Sequence, residues 1–181
     1  MKYTELSVAG VFAVEIEPIA DERGFFARTV CSDEFAKRGI PAHYCQSSIS
    51  SNARRGTLRG MHFQAAPSRE NKLVRCTQGA LYDVVLDLRQ ESPTYGRSAG
   101  IELSAANRTA IAIPHGVAHG FITLADDTEV LYMMSEIHNP ALARGIRWDD
   151  PHFSISWPLV PVVMSERDAQ YPDFSVGILK A

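Results

Sequence analysis

Ala80-Leu81-Tyr82-Asp83-Val84-Val85-Leu86-Asp87-Leu88 alternates in a way only a β-strand can use. Tyr82, Val84, Leu86 and Leu88 fall on one face, and Leu81, Asp83, Val85 and Asp87 on the other. A face that mixes carboxylates with aliphatics either meets water or lines a polar cavity. The cationic residues in neighbouring segments favour the cavity.

Working outward, short segments rich in β-branched and aromatic residues recur almost from end to end. Strands are expected at 11–16, 25–30, 44–51, 57–64, 72–77, 80–88, 98–103, 109–113, 120–124 and 128–136, with turn signals such as Gln78-Gly79 and Asp126-Asp127 between them. Many short strands at this spacing predict an all-β antiparallel sandwich or barrel rather than alternating β and α units. Helix is scarce: Asp33–Arg38, with Ser32 as N-cap and Gly39 past its end, is the best candidate. No repeat or linker divides the chain, so residues 1–181 are expected to form a single domain. The Pro-rich tail after Trp157 should pack over the barrel as irregular structure.

Composition bounds the function. Eighteen Lys and Arg stand against 21 Asp and Glu, for a formal net charge of −3, whereas a nucleic-acid binder usually shows a basic excess. No apolar run approaches the roughly 20 residues that span a bilayer, and the first residues lack a secretory h-region. Cys31, Cys45 and Cys76 form no C-x-x-C pair and suggest reduced, mostly buried thiols. The expectation is a soluble cytoplasmic protein with no membrane and no nucleic-acid partner.

Two clusters carry chemistry. In Leu58-Arg59-Gly60-Met61-His62-Phe63-Gln64, alternation puts His62 and Gln64 on one face and Arg59 on the other. Arg59, His62, Gln64 and Lys72 lie within fourteen residues, and cations gathered at a barrel mouth imply an anionic ligand or intermediate. In Ile113-Pro114-His115-Gly116-Val117-Ala118-His119-Gly120-Phe121, the P-x-G-x-x-H pattern matches the second half of the signature of cupins, which are small jelly-roll barrels. The first half offers His62-Phe63-Gln64 in place of an H-x-H pair, which makes a poor zinc or iron site.

These motifs, with Asp21-Glu22-Arg23-Gly24-Phe25-Phe26, Lys72-Leu73-Val74-Arg75, Trp148-Asp149-Asp150-Pro151 and Ser165-Glu166-Arg167-Asp168, resemble in order the dTDP-4-dehydrorhamnose 3,5-epimerase family over nearly the whole chain. The resemblance implies a cupin-type jelly roll with a few short helices, and a homodimer whose chains help complete each other's sites. It implies an isomerase without cofactor or metal, acting in deoxysugar biosynthesis on a nucleotide sugar. Its general base falls on His62, the supporting carboxylate on Asp168, the general acid on Tyr132 and enolate stabilisation on Lys72. Substrate contacts fall on Arg23, Gln46, Ser48, Arg59, Lys72, His119, Arg167 and His138. Arg59 and His62 can share the substrate only if a bulge at Gly60 breaks the alternation, or if Arg59 reaches the diphosphate from the rim.

Four positions depart from the best-known members: Arg28 and Ala143 replace Glu, His138 replaces the Tyr that stacks on thymine, and Ser48 replaces Asn. Retained proton chemistry with altered nucleotide or sugar recognition is therefore expected. The alternatives are a C3-only or C5-only epimerase using a CDP-linked or other nucleotide sugar, a non-catalytic cupin that binds a sugar nucleotide, and a metal-dependent cupin.

Overall fold

The computed structural model describes residues 1–180 and is built mainly of antiparallel strands. One sheet holds β1 (Lys2–Glu5), β2 (Phe12–Glu15), β5 (Gln46–Asn52), β7 (Lys72–Gln78), β10 (Ala110–Ile113) and β12 (Thr128–Met134), in the order β1-β2-β10-β7-β12-β5. The other holds β6 (Leu58–Gln64), β8 (Ala80–Asp87), β9 (Ser98–Ser104), β11 (Val117–Thr123) and β13 (Ala143–Gly145), in the order β13-β6-β11-β8-β9. A small exposed hairpin pairs β3 (Ile19–Asp21) with β4 (Gly24–Phe26). From β5 to β13 the chain passes back and forth between the sheets, except at the β8–β9 hairpin, as in the cupin jelly roll expected from the sequence.

Alternation decides what each sheet buries. Val74, Cys76, Ile111, Ile113 and Val130 of the first sheet meet Leu81, Val85, Leu103, Val117 and Phe121 of the second in the central core. The outer face of the second sheet, with Met61, Phe63, Val84 and Leu86, is covered by Phe153, Trp157, Phe174 and Ile178 of the C-terminal segment. On the outer face of the first, Val14, Leu73, Ala110 and Ala112 pack against Phe35 and Ile40. Phe35, fully buried, contributes roughly 1.5–3 kcal/mol and ties down the short helix α1 (Ser32–Ala36) that carries it.

The carboxylate-bearing face of β8 points inward. Asp83 and Asp87 are both fully buried. Asp87 accepts from Arg89 Nε at 2.8 Å, Ser92 Oγ at 2.6 Å and Thr94 Oγ1 at 2.6 Å, which fixes the turn into β9. Asp83 reaches the site described below.

Several expectations are corrected. The residue with extended backbone ahead of α1 is Cys31, so Ser32 is the first helical residue rather than the cap. β11 starts at Val117, which places His119 on a strand, and the strand expected at 25–30 stops at Phe26. Of the three cysteines only Cys76 is buried; Cys45 is exposed and Cys31 intermediate. The tail is not wholly irregular, since it contains α2 (Glu166–Ala169) and a short 3-10 turn at Val176–Leu179. Among the described residues, no helix is long and apolar enough to cross a membrane.

A bulge interrupts β6 where the alternation had to break. His119 pairs with His62 and Phe121 with Arg59, so three residue steps on β6 oppose two on β11. Gly60 sits inside this bulge at φ +134°, and a Cβ there would lie 2.5 Å from Gly120 Cα. Gly60→Ala should therefore cost about 2–4 kcal/mol through positive-φ strain and overpacking. Urea unfolding reads the loss as a lower midpoint at unchanged slope; an unchanged midpoint would show that β6 relaxes freely.

Candidate active site

At one end of the barrel the two sheets splay around a cavity of about 430 Å³, a size that suits a small-molecule ligand. Register explains its walls. Tyr132 pairs with Ser48, and Met134 with both Gln46 and Lys72, so these five side chains share the inward face at the ends of β5, β12 and β7. Opposite them stand His62 and Gln64 from β6 and Ala143 and Arg144 from β13. Arg167 and His138 complete the rim.

His62 is held by a residue 106 positions away. Its Nε2 lies 2.7 Å from Asp168 Oδ1, while Asp168 Oδ2 accepts the Gly60 backbone N–H at 3.2 Å. Ser165 caps α2 by accepting the Asp168 N–H at 3.1 Å, which sets the carboxylate in place. Burial opposes ionisation of Asp168, but the hydrogen bond and charge of His62, with the Gly60 N–H, hold it below the usual carboxylate range. An ionised carboxylate can only accept, so Nε2 carries the proton and Nδ1 keeps a free lone pair. The His62 side chain is 45% exposed and its Asp168 partner 5%, so the imidazole faces the cavity from a buried anchor.

A second pair lies directly across the strands. His119 is the Cα partner of His62, and its Nε2 lies 2.8 Å from Asp83 Oδ2. Asp83 is fully buried and its Oδ1 has no hydrogen-bond partner; burial pushes its carboxyl up, against the pull of His119. The His119 ring meets Tyr132 edge to face at 6.0 Å. Burial, aided by the Asp83 charge and opposed by Arg59, raises the Tyr132 phenol far above its ordinary value, so it stays protonated near neutrality.

The expected residues divide into four groups. His62, Lys72, Tyr132, Gln46, Ser48, His138 and Arg167 all line the cavity, and Asp168 stands behind His62. His119 lies one layer deeper, 5% exposed, braced against Tyr132. Arg59, turned by the bulge, lines an adjoining cleft with His62 and Asp168 and donates from Nε to Asn52 Oδ1 at 2.7 Å. Arg23 is not brought in: it sits on the exposed β3–β4 hairpin, paired with Asp21. Arg28 is likewise outside the cavity, whereas three of the four departing positions (Ser48, His138 and Ala143) line it.

Sequence reasoning did not single out Glu70, whose Oε2 is 2.5 Å from Lys72 Nζ inside the cavity wall, nor Asp83 as the partner of His119. Both signals were present: Glu70 lies two residues before Lys72, and Asp83 lies on the inward face of β8. Among the described residues, no group of three or more His, Cys, Asp or Glu is arranged to hold a metal ion.

The sequence profile of dTDP-4-dehydrorhamnose 3,5-epimerase matches residues 5–175. The chain belongs to this family of carbohydrate epimerases. A dTDP-4-dehydrorhamnose 3,5-epimerase from Pseudomonas aeruginosa is 40% identical over 177 residues, covering 97% of this chain and 97% of its own. A dTDP-4-dehydrorhamnose 3-epimerase from Streptomyces niveus is 37% identical, covering 93% and 81%. Among solved members, the family's 3,5-epimerase from Bacillus anthracis, with TDP and PPi bound, superposes with a TM-score of 0.90 at 35% identity, covering 96% of this chain and 99% of that one.

Proposed function

We propose that the protein epimerises C3, or C3 and C5, of a dTDP-linked 4-keto-6-deoxyhexose by proton abstraction at His62. The observation that carries this reading is the His62–Asp168 pair on one sheet facing Tyr132 and Lys72 on the other, across a single cavity. A hydrogen beside a ketone is weakly acidic in water, so its removal needs both a base and a stabiliser for the enolate. His62 takes the proton from carbon on Nδ1, while Asp168 stabilises the imidazolium that results. The C–H electron pair moves into the ring carbonyl, and Lys72 offsets the charge that develops on the C4 oxygen. Tyr132, still protonated, returns a proton to the opposite face; its phenolate and the His62 imidazolium then re-equilibrate with solvent. The carbon is inverted and no electrons are gained or lost.

Arg167 and Arg59 supply the positive charge that a sugar diphosphate requires. The dTDP assignment leans on the relatives, one of which holds TDP. Ser48, His138 and Ala143 at the cavity wall favour a changed fit around the base or the sugar. The reading includes a cytoplasmic homodimer, with Arg23 of the exposed hairpin directed to the site of a second copy. Incubation with dTDP-, CDP- and GDP-linked 4-keto-6-deoxyhexoses, with product stereochemistry read by NMR, tests it. The dTDP sugar should turn over fastest; failure to convert any of the three would sink the proposal and leave a non-catalytic sugar-nucleotide binder.

A further inference from the structure

We infer that Tyr171 is a positioning residue, a single aromatic ring that fixes the orientation of the His62 imidazole and of the Arg167 guanidinium together. The inference rests on His62 being the base, but it adds a residue that the catalytic scheme does not use. The His62 ring is nearly half exposed and makes one side-chain hydrogen bond, to Asp168. A single hydrogen bond fixes one atom and leaves the ring free to swing about it. Tyr171 supplies the second constraint: its ring meets His62 edge to face, with centroids 6.3 Å apart and planes at 73°. Its face also lies under the Arg167 guanidinium, at 5.8 Å from carbon to ring centroid, within reach of a cation–π attraction.

The ring is itself held. Gly145, the residue on β13 that pairs with His62, carries no side chain, and a Cβ there would fall 2.1 Å from Tyr171 Cζ. The aromatic thus packs directly against strand backbone beside His62. The Tyr171 carbonyl accepts from Arg147 Nη1 at 3.4 Å, and Arg147 is paired with Asp149 and Asp173, which pins the chain just past α2. The Tyr171 hydroxyl is buried and makes no short hydrogen bond, although Arg167 lies near enough to favour its phenolate; the contact with His62 is made by the ring. Asp168 and Tyr171 lie three residues apart, and the one short segment therefore grips the imidazole both by its nitrogen and by its edge.

The test combines a substrate-free readout with kinetics. In protein carrying ¹⁵N-histidine, with the His62 signals assigned by their loss in His62→Asn, wild type should show one neutral tautomer protonated on Nε2. Tyr171→Ala should show a mixture of tautomers, lower kcat about tenfold, and weaken TDP binding about threefold by calorimetry, with a matching rise of no more than about threefold in KM for the nucleotide sugar. Tyr171→Phe should restore the single tautomer and most of kcat. Gly145→Ala, which displaces the ring from the other side, should reproduce the alanine phenotype. A single unchanged tautomer in Tyr171→Ala overturns the inference whatever its kcat, and so does a Phe variant as impaired as the Ala variant. The tautomer measurement needs no substrate, so it decides the role of Tyr171 even if none of the tested sugars turns over.

Discussion

Replacing His62 by Asn is expected to lower kcat by about three orders of magnitude while the protein stays folded. A positioned general base typically contributes 10²–10⁴-fold, and three orders correspond to roughly 4 kcal/mol of lost transition-state stabilisation. Asn is the better substitution than Ala because its amide can still donate to Asp168. Without a donor, a carboxylate on a side chain only 5% exposed would lose its His62 partner and keep the Gly60 N–H, and instability would mask the kinetic effect. The imidazole is 45% exposed and belongs to none of the three hydrophobic clusters, so the barrel core does not depend on it. Steady-state kinetics together with a thermal melt checks this: a kcat within tenfold of wild type would remove His62 from the mechanism.

Asp168→Asn should be nearly as damaging, and for a reason set by Gly60. The Gly60 N–H points at Oδ2 and needs an acceptor there. An amide at position 168 satisfies it by turning its oxygen towards Gly60, which aims the NH2 group at His62 Nε2. That nitrogen must then accept, the ring proton moves to Nδ1, and the lone pair that faces the substrate is lost. A loss of about 10³-fold or more in kcat with little change in KM follows, because the defect is in the reacting group rather than in binding. Asp168→Glu keeps the charge but not the reach, and should recover only part. If Asp168→Asn retained most of its activity, the tautomer argument would fail.

The stability of Asp168→Asn carries its own sign. A carboxylate held below its ordinary value contributes stability that is fully present above about pH 4, the unfolded range, and is lost as pH falls through the lowered value. The stability gap between wild type and Asp168→Asn should therefore close on acidification below about pH 4.

How much could be read without coordinates differed from element to element. The strand β8 and the division of its faces were legible from a two-residue period, but the period left the carboxylate face either in water or inward; both carboxylates are buried, the side that the cationic neighbours favoured. The bulge was legible as a contradiction, since Arg59 and His62 could share a site only if Gly60 broke the register. β13 was not legible: three residues carry no period, yet they supply Ala143 and Arg144 of the cavity wall and Gly145 beneath Tyr171. Nor was α2, a helix of four residues held by the Ser165 cap and by packing rather than by propensity. Asp168 and Tyr171 sit at that segment, so the pairing of His62 with Asp168 followed from family resemblance and not from pattern. Arg23 illustrates the opposite limit, a residue named by resemblance that the isolated chain leaves outside the cavity.

Proton transfer through an enolate, with delivery from the face opposite His62, has one direct signature. In D2O, wild-type protein acting on the dTDP-linked 4-keto-6-deoxyhexose should yield product in which every inverted centre carries deuterium, because the proton that Tyr132 returns comes from solvent. The C3 proton resonance, and the C5 resonance if both centres invert, should vanish from the ¹H NMR spectrum as inversion proceeds. Inverted product that retains its original protium, or prolonged incubation with neither inversion nor exchange, would contradict the account.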